Sequence, residues 1–241
     1  MMIVETQGVL EAVRHDLREN ADEEVRSSGR RFFKEEVTSY GVKTTIVTGI
    51  AKKHFSAIKN EAKETVFGLC EELWRSGYLE ESFIACDWSY ALRRRYRPDD
   101  LEVFETWVNR YVDNWASCDT LCNHTVGALV EMYPACSAGM SAWAKSDNRW
   151  MKRAAAVSFI IPARKGLFLD DIFSIAGILL SDRDDMVQKG YGWMLKAASE
   201  AHRDKVFDFV MEKKDVMPRT ALRYAIEKMP KEMRTEAMKK A

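Results

Sequence analysis

Four side chains have the types and spacing to act together on one ligand: Trp115, Asp119, Arg153 and Trp193. They fall in three stretches, DNWASCD (113–119), SDNRWMKRAAA (146–156) and MVQKGYGWML (186–195), and each stretch reads as helix. Trp115 and Asp119 stand at i and i+4, so a helix projects both from one face. Arg153 follows 34 residues later and Trp193 another 40, as though one position were sampled from successive helical repeats. Indole faces attract cations, by roughly 0.5–2 kcal/mol each. A fixed carboxylate stabilises positive charge as it develops and can orient a water. A guanidinium forks onto phosphate oxygens as an ammonium cannot. Together they suit a ligand that is cationic, aromatic and phosphate-bearing.

The elements that must position these residues are helical throughout. In residues 60–75 one apolar face is marked by Ala62, Val66, Leu69, Cys70 and Leu73. Residues 79–92 do the same with Phe83, Ile84, Trp88 and Leu92, and residues 101–112 with Leu101, Phe104, Val108 and Val112. Later helices are expected over 118–133, 136–145, 148–161, 168–180, 184–201, 203–213, 218–228 and 231–240. Pro98-Asp99-Asp100 marks a helix start, where carboxylates favour the positive dipole end. Ser146-Asp147-Asn148 offers N-cap oxygens, and Ser181-Asp182 is expected to do likewise. Pro134 and Pro162 are expected to end helices. Only 5 prolines and 12 glycines interrupt a chain that is 46% hydrophobic, and no alternating β pattern appears.

An internal repeat is visible. The string Asp147-Asn148-Arg149-Trp150-Met151-Lys152-Arg153-Ala154 matches in outline Asp184-Asp185-Met186-Val187-Gln188-Lys189-Gly190-Tyr191, with Lys152 and Lys189 37 residues apart. A third echo is Pro218-Arg219-Thr220-Ala221-Leu222-Arg223-Tyr224. That offset fits HEAT-like helical pairs, which must stack to bury their apolar faces. The reading is an all-α fold: an α-solenoid of HEAT-like repeats forming a curved, concave array, as a single domain over residues 1–241. Ala154, Ala155, Gly190 and Gly192 would allow close helix approach.

At these residues the chain resembles a known family, the AlkD-like DNA alkylation repair glycosylases. The resemblance runs from Tyr40-Gly41-Val42-Lys43-Thr44, through Glu72-Leu73-Trp74 and the Trp115–Asp119 segment, to Ser146-Asp147-Asn148 with Arg153, and to Lys189-Gly190-Tyr191-Gly192-Trp193. It implies a monofunctional glycosylase that excises N3- and N7-alkylpurines from double-stranded DNA, without metal or cofactor. By the same resemblance Asp119 is the catalytic carboxylate, Trp115 and Trp193 flank the lesion nucleotide, and Arg153 holds a nearby phosphate. Lys43 and Lys196 are the other expected DNA contacts. The family reads the lesion from the DNA backbone. Two departures stand out: Phe32 occupies a position where at least one member has a tyrosine, and Ala116 one where some members carry an acid. Some relatives with this fold lack the activity, so a non-catalytic HEAT-like module binding damaged DNA or a protein is the alternative.

The chemistry is consistent with that implication. Alkylation at N7 or N3 gives the purine a formal positive charge; it leaves as a neutral base while the sugar gains oxocarbenium character, which a carboxylate stabilises.

Other residues have simpler readings. Trp74, Trp88, Trp107, Trp143 and Trp150 are expected in the core. Cys118 and Cys122 share a helical face but His124 points elsewhere at 100° per residue, so no metal site is expected. Arg93-Arg94-Arg95-Tyr96-Arg97 closes a helix, where cations suit the negative dipole end. Basic and acidic residues balance at 37 each, which excludes binding to nucleic acid by net charge alone, and the C-terminal third is mildly basic. Five cysteines, an odd number, together with a non-basic N-terminus, give the expectation of a reduced, cytoplasmic monomer away from membranes.

Overall fold

The computed structural model describes the backbone of residues 2–239 and the side chains of residues 8–239. It is an all-α helical-repeat fold. The helices are α1 (Met2–Glu19), α2 (Glu23–Arg30), α3 (Thr44–Ile58), α4 (Lys63–Arg75), α5 (Leu79–Ala91), α6 (Asp100–Tyr111), α7 (Trp115–Thr120) and α8 (Gly127–Met132). There follow α9 (Ser137–Ala144), α10 (Arg149–Val157), α11 (Ile160–Arg164), α12 (Leu169–Leu179), α13 (Asp185–Lys213), α14 (Arg219–Ala225) and α15 (Lys231–Met238). Among the described residues there is no strand, only an isolated bridge between Thr38 and Tyr78. No helix among them is long and apolar enough to cross a membrane.

Two compact units emerge, residues 1–97 with 110–121, and residues 98–109 with 122–241. In the first, α5 packs on α3, α4 and α7, and α1 on α3. Val13, Leu17, Val47, Val66, Leu73, Ile84 and Trp88 fill the core. The Trp88 indole N–H donates to the Ala51 carbonyl at 2.9 Å, so its polar atom is satisfied where the ring is buried. In the second, α13 packs on α10, α11, α12 and α14 around Phe104, Trp107, Trp143, Phe159 and Tyr191. All five tryptophans assigned to packing are buried.

A carboxylate sets the course of the chain between α2 and α3. Glu80, 3% exposed, accepts hydrogen bonds from Ser39 Oγ and from the main-chain N–H groups of Tyr40, Gly41 and Val42. Gly41 has φ +83°, and a Cβ there would stand 2.3 Å from the Asp22 carbonyl, so only glycine fits. Next to it Glu81, 1% exposed, accepts from the Tyr40 hydroxyl at 2.7 Å and from Arg14 Nε at 3.2 Å. Burial and the Glu81 carboxylate push the Tyr40 phenol up, so it remains a proton donor.

The helices largely follow the expected spans, and the differences have local causes. The helix expected over 118–133 begins at Trp115, because the Asn114 side chain caps it by accepting from Ser117 N at 3.0 Å. It also passes through a π-helical turn, Leu121–Val126, before α8. Gly127 follows that turn and lets the Ser158 carbonyl come within 2.8 Å of where a Cβ would be. Pro162 does not end a helix. The preceding helix closes at Val157, and Pro162 sits in the first turn of α11, where its missing N–H is not needed. Asn148 caps α10 as expected. Asp182 instead accepts from Asp184 N, and Asp184 is the N-cap of α13. The break expected near residue 202 is a kink inside α13 at His202 (φ −131°, ψ 48°), whose ring meets the Gly166 carbonyl at 2.9 Å.

Two expectations follow. Glu80→Ala leaves three main-chain N–H groups without their acceptor and should lower stability by about 3 kcal/mol or more in urea denaturation; an unchanged midpoint would show that water replaces the carboxylate. At Gly192 a Cβ would lie 2.7 Å from Tyr224 Cβ and 2.9 Å from the Ala221 carbonyl, so Gly192→Ala forces α14 away. It should cost about 1–3 kcal/mol in thermal unfolding. Gly177→Ala, with nothing within 4 Å, should be neutral or slightly stabilising.

Candidate nucleic-acid interface

The first unit carries Trp115, Asp119 and Lys43. Trp115 is the first residue of α7, and its half-buried indole is held on two sides. Its N–H donates to the Phe32 carbonyl at 3.2 Å, and the Phe33 ring stacks on it with centroids 5.5 Å apart and planes at 24°. Asp119 follows one turn later on the same helical face and is also half-buried. Ala116, Ser117 and Cys118 point into the core and anchor the helix. Thr120 Oγ1 donates back to the Ala116 carbonyl at 2.7 Å and closes the turn. Lys43 is exposed at the start of α3, just after the segment held by Glu80, and among the described residues it forms no ion pair.

The second unit carries Arg153, Trp193 and Lys196. Arg153 is 5% exposed, and its Nη1 donates to the Met186 carbonyl at 2.5 Å in the first turn of α13. Gly190 makes room for it: a Cβ there would be 3.2 Å from Arg153 Cγ. Trp193 lies three residues beyond Gly190 and Lys196 three beyond that, so the three form one stripe along α13. The Trp193 indole is half-buried and makes no hydrogen bond or ring contact among the described residues. Lys196 Nζ meets Glu227 Oε2 at 3.0 Å and sits over the Tyr224 ring at 5.5 Å.

Several of these partners are not evident in the linear sequence. Phe33 was not singled out, although the run Arg30-Arg31-Phe32-Phe33-Lys34 sets two aromatics among three cations. The Met186 carbonyl as partner of Arg153 and Glu227 as partner of Lys196 depend on which helices meet. The thiols of Cys118 and Cys122 are buried whereas His124 is exposed. Arg93 lies over the Tyr90 ring at 4.4 Å and Arg95 donates to the Glu61 carbonyl at 2.9 Å.

Comparison with known proteins bears on what these residues serve. The family model described as DNA alkylation repair enzyme matches residues 13–229, through both units. A solved structure, a predicted DNA alkylation repair enzyme from Enterococcus faecalis, has the same fold with a TM-score of 0.79. It is 17% identical in sequence, and the match covers 88% of this chain and 98% of that one. A search of curated proteins gave no match. The chain belongs to the DNA alkylation repair enzyme family, and so to the proteins of DNA repair.

Proposed function

We propose that this protein is a monofunctional DNA glycosylase that hydrolyses the N-glycosidic bond of cationic N3- or N7-alkylated purines in double-stranded DNA. The observation that carries the proposal is the pairing of Trp115 and Asp119 one turn apart on α7, with the indole fixed by Phe32 and Phe33. A half-buried carboxylate beside a clamped aromatic face suits a substrate whose positive charge moves from base to sugar.

The reaction needs little from the protein. The bond from the sugar anomeric carbon to the alkylated nitrogen breaks, and its electron pair neutralises the departing base. Water adds to the anomeric carbon and loses a proton, leaving an abasic sugar. Asp119 stabilises the oxocarbenium character of the sugar and orients the attacking water. Trp115 and Trp193 offer ring faces to the cationic nucleotide. Arg153, Lys43 and Lys196 supply phosphate contacts. For Arg153 this means sharing its guanidinium between the Met186 carbonyl and a phosphate, which its five donors permit. For Lys196 it means exchanging Glu227 for a phosphate. The protein works as a cytoplasmic monomer in this reading.

A second reading, a module that binds damaged DNA without cutting, is favoured by one feature: Phe33 already occupies one face of Trp115.

The two readings part in one assay. Incubation with duplex containing N7-methylguanine should release free base and leave abasic sites well above the spontaneous rate. Asp119→Asn should bind the duplex but lose about 100-fold or more in single-turnover excision. Binding without release by the wild type would establish the module instead, and near-wild-type excision by Asp119→Asn would remove the carboxylate from its role.

A further inference from the structure

Phe32 is 74% exposed, a large apolar ring in water at the end of α2. Its backbone is nonetheless fixed. Its N–H donates to the Gly29 carbonyl at 3.1 Å, the next N–H to the Arg30 carbonyl at 3.2 Å, and its own carbonyl accepts the Trp115 indole N–H at 3.2 Å. The Phe33 ring lies on Trp115. The chain thus turns one phenyl ring inwards, onto the aromatic half of the candidate site, and holds its neighbour outwards.

The charges around that outward ring are also unusual. Arg30 and Arg31 are exposed, and among the described residues neither forms an ion pair. Elsewhere in the same unit Arg14 pairs with Glu81, Lys53 with Asp16 and Arg75 with Glu71 and Glu72. An exposed phenyl ring beside two uncompensated guanidinium groups matches a surface that alternates stacked apolar rings with phosphates. A lipid or protein partner would satisfy the ring but gives no account of its attachment to Trp115.

We propose that Phe32 is a wedge that enters the DNA base stack beside the nucleotide held at Trp115, with Arg30 and Arg31 on the flanking phosphates. This rests on the reading of DNA as the substrate of the Trp115–Asp119 site and deepens it. Apolar side chains inserted at a base step unstack it in part. Such opening would loosen the lesion nucleotide from its neighbour while the main-chain link from Phe32 to Trp115 keeps wedge and ring face in register. Asp119 lies about 6 Å further along the axis of α7 than Trp115, at 1.5 Å per residue, so the opened step would fall within reach of the carboxylate.

The test uses a duplex with 2-aminopurine next to N7-methylguanine, because 2-aminopurine brightens when it unstacks. Stopped-flow mixing with the wild type should give a rise that precedes base release. Phe32→Leu, still an apolar wedge, should keep it. Phe32→Ser should weaken half-saturation by roughly 10-fold or more, as for loss of one base–aromatic stack, with its thermal midpoint unchanged because the ring is exposed. A Phe32→Ser response equal to wild type overturns the wedge. Base release without any brightening overturns the wedge and leaves the glycosylase reading standing. Brightening that depends on Phe32 without base release upholds the wedge and overturns the glycosylase reading. Neither signal overturns both.

Discussion

The buried carboxylate of Glu80 is the constraint on which the arrangement of the first unit depends. A carboxylate removed from water is costly unless its oxygens are filled with donors. Here three consecutive main-chain N–H groups and a serine hydroxyl fill them. The carboxylate therefore dictates the path of residues 39–42, and Gly41 is the residue that allows that path. Everything between α2 and α3 hangs from it: Lys43 at the start of α3 is reached from one end of this segment, and Phe32 and Phe33 from the other. Because Glu80 stands on α5, and α5 packs on α7, the same helix supports both the segment that clamps Trp115 and the helix that carries it.

The second unit is organised by contact of a different kind. α13 packs closely on its neighbours because Gly190 and Gly192 present no side chain to them. Gly190 admits the aliphatic stem of Arg153 and Gly192 admits α14. Between them Tyr191 is fully buried, with its hydroxyl 3.3 Å from the Leu180 carbonyl. Five residues from Lys189 to Trp193 thus divide cleanly. The two glycines and the tyrosine fix the helix in place, and Trp193 on the stripe begun by Gly190 is left with an unengaged indole. The string that signals the family in sequence is mostly a packing device, and one ring of it is available for a ligand.

The clamp on Trp115 has a chemical consequence. A tryptophan at a helix start would sample several rotamers in water. Fixing its N–H on the Phe32 carbonyl and one face on Phe33 removes that freedom before a substrate arrives, which is how a site is preorganised. The same clamp occupies one ring face. A ligand at Trp115 therefore meets the other face or the ring edge, on the side of the helix where Asp119 also projects.

Helical periodicity by itself determined nearly every element, because a 3.6-residue apolar pattern has few ways to bury itself. It also placed Trp115 and Asp119 on one face, put Asn148 at a helix cap and marked the five packed tryptophans. The short-range errors, at Pro162, at the cap of α13 and at the π-helical turn, arose where a first-turn proline or an asparagine or aspartate oxygen has two equally good local uses. What only the tertiary structure decided are the partners. That Glu80 gathers the amides of residues 40–42, that Phe33 rather than solvent covers Trp115, that Arg153 is buried on the Met186 carbonyl and that Lys196 pairs with Glu227 all join residues 31 to 82 positions apart. No local pattern encodes such pairs, because a hydrogen bond or a ring stack is chosen by which surfaces meet when the helices pack, and that is a property of the whole chain.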